Sequence, residues 1–147
     1  MSLKSLDALR DVAAENSSLL QYIVRLDMIR HQIEEECPDS VLWAAAFGRF
    51  LSLFREKERR QAAARNGVEF LAVTSERNLY KAHVDLAEKV FGPVFLEFGR
   101  LPNYHVWTVK EFKAAAESNN AIYRRAISEG VSIYGTPDAI RERAGVS

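Results

Sequence analysis

The sequence predicts an α/β (α+β) domain, a mixed sheet of about four to five short strands flanked by helices. Two observations carry that expectation. Short apolar runs such as Val68 to Thr74 and Val131 to Tyr134 are interleaved with longer segments whose apolar residues recur at helical spacing. Gly or Pro closes most of these segments, at Pro38, Gly48, Gly67, Gly92-Pro93, Gly130 and Gly135. A third observation concerns organisation: 147 residues without an internal repeat, low-complexity tract or linker read as one domain, 1–147.

Residues 5–15 read as a short helix with Leu6, Leu9, Val12 and Ala13 on one face, and Asn16-Ser17-Ser18 breaks it. Residues 1–17 are thus an N-terminal helical extension. From Ser18 to about Glu36 a second helix carries Leu19, Leu20, Ile23, Val24, Leu26 or Met28, Ile29 and Ile33, and Pro38 stops it. Val41 to Gly48 is apolar and short. Its alanines favour helix, but its length and terminal Gly favour a strand, which is the reading adopted. Residues 49–66 read as a charged helix ended by Gly67.

Val68 to Thr74 is a strand, after which Ser75 opens a helix over about 76–91 with Leu79, His83 and Leu86 or Ala87 inward. Val94 to Phe98 is a third strand and Tyr104 to Thr108 a fourth. Val109 to Glu117 is a helix with Phe112 inward, and Asn119 or Asn120 caps another from Ala121 to Glu129. Val131 to Tyr134 forms the fifth strand, and in the tail, 136–147, a helical turn from Pro137 is expected.

Twenty basic residues balance twenty acidic ones, so no global field draws the chain to nucleic acid or an anionic membrane. The single cysteine, Cys37, has no partner for a disulfide or a zinc knuckle and reads as a passive residue beside Pro38. No apolar run approaches the roughly 20 residues of a membrane span, and no secretory leader is recognised, so a cytoplasmic location without membrane contact is expected. His31, His83 and His105 form no ligand-spaced pair; His105 and Trp107 fall on alternate positions of one strand.

The stretch His105 to Gly135 is the most distinctive. A strand runs into Thr108-Val109-Lys110-Glu111-Phe112, two helices follow, and Glu129-Gly130 feeds Val131-Ser132-Ile133-Tyr134-Gly135. This resembles the closing third of the minimal nucleotidyltransferase domains of the DNA polymerase β superfamily. The helix at 18–36 and the strand ending Phe47-Gly48 resemble that family's entry helix and first strand, so the resemblance covers a core of 18–135. It implies a nucleotidyltransferase-like fold and, in an active member, Mg²⁺-dependent nucleotidyl transfer.

The departures fall on the chemistry. Arg49 follows Phe47-Gly48 where the family has serine, and Asn66-Gly67-Val68-Glu69 stands where it has Ser-Asp-x-Asp. Two metal ions need oxygen ligands at short range, and Gly67 supplies none. Glu69, with Glu97 in the third carboxylate's place, is the candidate catalytic or metal-ligating set. Gly48, Arg49, Arg55, Arg59 and Arg60 are the candidate nucleotide or phosphate contacts.

Three functions follow. The first is a nucleotidyltransferase-like domain that has lost catalysis and acts as a binding or regulatory, antitoxin-like protein toward a helical toxin-like partner or a second copy of itself. The second is an active metal-dependent nucleotidyltransferase using Glu69 and Glu97. The third is an unrelated α/β interaction domain whose basic helix at 49–65 contacts its partner, nucleic acid included. The resemblance predicts one juxtaposition: Gly48-Arg49 and Glu69 side by side at the ends of adjacent strands.

Overall fold

The computed structural model describes residues 4–13, 17–48, 68–93 and 103–143. In chain order these form β1 (Lys4–Ser5), α1 (Leu6–Ala13), α2 (Ser17–Glu36), β2 (Val41–Phe47), β3 (Glu69–Thr74) and α3 (Leu79–Leu86). A π-helical turn, Ala87–Phe91, prolongs α3. There follow β4 (Asn103–Thr108), α4 (Val109–Glu117), α5 (Ala121–Glu129), β5 (Val131–Gly135) and α6 (Pro137–Arg143). The strands make one mixed sheet in the order β1-β5-β2-β3-β4, so the α+β expectation holds. β2 runs antiparallel to both β3 and β5, whereas β3 and β4 are parallel.

Strand pleating divides the helices between two faces. Phe70 pairs in register with Tyr104, and Phe91 of the π turn packs on both, with ring centroids 5.5 and 4.4 Å away. The α3–π segment therefore covers one face, and α2 packs against the π turn. Trp43, Glu69 and His105 point to the other face, where α4 and α5 lie: Phe112 meets Trp43 edge-on at 6.1 Å and Tyr123 at 5.4 Å. Trp43 is fully buried, and its indole N–H donates to Ser132 Oγ at 2.9 Å, so its one polar atom is satisfied.

Local chemistry explains most boundaries. Thr108 and Glu111 form a capping box that starts α4 directly at the end of β4. Asn119 takes φ 56°, a left-handed conformation that asparagine tolerates, and Asn120 then caps α5 by accepting from the N–H groups of Ile122 and Tyr123. Gly135 has φ 66°, and a Cβ there would sit 2.0 Å from the Leu42 carbonyl oxygen, so the turn after β5 requires glycine.

Three readings need correction. The third helix begins at Leu79, not at 76, because Ser75 is tied back to the Asp39-Ser40 turn; its N–H donates to Ser40 O at 2.7 Å. Asn78 is the actual cap, accepting from Lys81 N at 3.1 Å. With the wider π turn, the fully buried residues are Ala82, Leu86, Val90 and Phe91, Leu86 as expected, while Leu79, His83 and Ala87 are half-buried. In α2 the buried stripe is Ile23, Leu26, Ile29 and Ile33, while Val24 lies 58% exposed, one position off that face. β1, only two residues long, pairs with β5 and had no signal in the sequence. The expected strand 94–98 and the charged segment 49–66 lie outside the described residues.

Candidate functional site

Glu69 opens β3, and antiparallel pairing places it opposite Phe47, the last residue of β2. Gly48 follows at φ 118°, a conformation open to glycine and strained for other residues. Gly48 and Glu69 therefore stand at one end of adjacent strands, as the resemblance predicts for that pair. Arg49, Arg55, Arg59, Arg60 and Glu97 lie outside the described residues.

The parallel neighbour β4 brings Asn103 opposite Glu69 and His105 opposite Leu71. α5 crosses above them. From it Arg125 Nη2 donates to Glu69 Oε2 at 2.6 Å, a charge-assisted hydrogen bond at the short end of the range. The same guanidinium lies 5.0 Å from the centroid of the Phe47 ring, and His105 stacks on that ring at 6.5 Å. Phe47, fully buried, is thus the platform on which the cation and the imidazole rest. His105 Nε2 comes within 3.9 Å of Glu69 Oε1, too far for a hydrogen bond, and it is buried without a hydrogen-bond partner among the described residues.

Among the described residues, this arrangement does not make a two-metal centre. Mg²⁺ takes a near-octahedral set of oxygens, and Glu69 is the one acidic residue within β2, β3 and β4. Its charge is already matched by Arg125, whose own positive charge would repel a neighbouring cation. Among the described residues no three Asp, Glu, His or Cys side chains converge closely enough to hold a metal ion. The Glu69 side chain is 24% exposed and Arg125 42%, so their pairing contributes only about 1 kcal/mol to stability. Its consequence is chemical, since it occupies the carboxylate.

Arg125 escaped the sequence reading. One signal for it existed: within α5 it stands three residues after Ile122 and beside Ala126, on the stripe that faces the sheet. A charged residue there needs a partner across the interface. His105, read as unremarkable, proves to be part of the same cluster. His83, by contrast, packs its ring on Tyr104 at 6.4 Å, and His31 is exposed beside Glu34. Cys37 is buried, and burial pushes its thiol above the usual range, with Lys89 partly opposing; this is an inert thiol at a helix end.

Among the described residues no helix is long and apolar enough to cross a membrane. Compared with known proteins, the chain matches no family model and has no significant match to a curated protein or a solved structure.

Proposed function

We propose that this chain is a nucleotidyltransferase-like domain that has lost nucleotidyl transfer and acts by binding, as a regulatory protein of the antitoxin type. One observation carries the reading: the carboxylate of Glu69, at the position where the family's strand carries its metal-binding acids, is held by Arg125 at 2.6 Å. The order of elements supports the scaffold half of the proposal. A helix and a strand ending in Phe47-Gly48 lead to an antiparallel β3, a parallel β4, two helices and a closing strand beside β2. Departures at Arg49 and Gly67 support the loss of transfer, because neither residue supplies the oxygen ligands that two metal ions need. The partner, a helical toxin-like protein or a second copy of this chain, follows from the resemblance alone.

The test is isothermal titration of the protein with nucleoside triphosphates in Mg²⁺, alongside incubation with labelled triphosphates and Mg²⁺ or Mn²⁺. No transfer and no metal-dependent tightening of nucleotide binding are expected. Tight metal-dependent binding that Glu69→Ala abolishes would sink the proposal.

A further inference from the structure

At the opposite end of the same strands lies a cleft of about 510 Å³, within the roughly 300–1,000 Å³ usual for small-molecule sites. Ser75, Arg77, Thr108 and Lys110 are among the residues that line it, and Lys113 reaches it from the next turn of α4. Register explains its position. Thr74 and Thr108 are paired as the last residues of β3 and β4, so the segments leaving both strands diverge from one point. The chain leaving β3 enters α3 on one face of the sheet, while β4 runs directly into α4 on the other. Adjacent parallel strands whose following helices part to opposite faces leave a crevice outside their carboxyl ends, where open α/β sheets bind ligands.

Among the described residues, the charges around this crevice do not balance. Arg77, Lys110 and Lys113 all line it, and none forms an ion pair with a described residue. The one acid in the lining among the described residues, Glu76, is committed elsewhere. It accepts from Asn78 N–H at 3.1 Å and lies 3.4 Å from Lys81 Nζ, and these contacts, the Asn78 N–H foremost, hold its carboxyl below the usual range. Among the described residues, three cations without an ion-pair partner therefore share one concave surface with two hydroxyl-bearing residues, while the Glu111 carboxylate is engaged in the cap of α4 beside it. No aromatic ring lines the cleft among the described residues, so nothing there offers a base a stacking surface.

We infer that this cleft is an anion site for the phosphate chain of a small phosphorylated ligand, separate from the Glu69 end. Inorganic pyrophosphate and ADP distinguish a free phosphate chain from one carried by a nucleoside. Both are titrated calorimetrically into the whole protein in Mg²⁺-free buffer. Saturable binding of both with similar affinity is expected, weakening as salt rises. Lys110→Glu with Lys113→Glu should weaken it at least about ten-fold, while Glu69→Gln leaves it unchanged. Arg77→Gln, in the segment before α3, provides a second variant should the double one fail to fold, and thermal melting by circular dichroism checks both. Absence of saturable binding, or binding that survives in the folded charge variants, overturns the inference; so does a much tighter grip on ADP, which would mean that the nucleoside is read. Metal-dependent binding that tracks Glu69 would contradict the proposed function and leave this site standing.

Discussion

The two ends of β3 and β4 differ in how their charges are settled. At the amino ends Glu69 and Arg125 satisfy each other over the buried Phe47 ring, with His105 stacked alongside. At the carboxyl ends Arg77, Lys110 and Lys113 surround a cleft and form no ion pair with a described residue. An internally neutralised carboxylate gains little from a metal ion, because the metal must first displace a guanidinium. Uncompensated cations in a concave surface gain from any anion of the right size. The difference is between a carboxylate already engaged at one end and cations free of a described partner at the other.

The largest expected effect breaks the amino end outright. Phe47→Ala removes a fully buried ring from beneath Arg125 and His105 and should cost about 3–5 kcal/mol, read as a lower urea midpoint. Arg125→Met is next. It leaves a mostly buried carboxylate without its donor and should cost about 1–2 kcal/mol, part of which Glu69→Gln restores in the double variant. If the two substitutions instead add independently, Glu69 and Arg125 are not coupled.

At the other end, Lys110→Glu with Lys113→Glu should change stability by no more than about 0.5 kcal/mol, read from the urea midpoint, since both residues are exposed and form no ion pair with a described residue. A large loss of stability there would mean that these lysines serve the fold rather than a ligand. The smallest effect concerns Glu76. Its carboxyl is held below the usual range in the folded protein, so its contribution is present above that range and lost as pH falls through it. Glu76→Gln should slightly lower stability at neutral pH and leave it unchanged below the carboxylate range, so the acid limb of stability against pH flattens.

Much of the fold was legible because boundary residues state their own geometry. Thr108 with Glu111, Asn120, and the glycines at 48 and 135 each need one backbone arrangement, and each marks an element end in the structure. Ser75, expected to open α3, is instead held by a contact to a residue 35 positions away, and Asn78 takes the cap. Glu69 was legible as a carboxylate at a strand's start, next to Gly48. Its partner was not, because Arg125 lies 56 residues further on and only the crossing of α5 brings it back. The carboxyl-end cleft was equally hidden. Arg77 and Lys110 belong to separate segments, and it is the parallel pairing of Thr74 with Thr108 that makes them neighbours.

The most direct measurement is an amide NMR titration of the whole protein, first with Mg²⁺ and then with pyrophosphate. The account predicts that Mg²⁺ leaves the resonances of Glu69 and Arg125 in place, and that pyrophosphate shifts those of Ser75, Arg77, Val109 and Lys110. Mg²⁺-dependent shifts centred on Glu69, with the carboxyl-end amides unmoved by pyrophosphate, would contradict it.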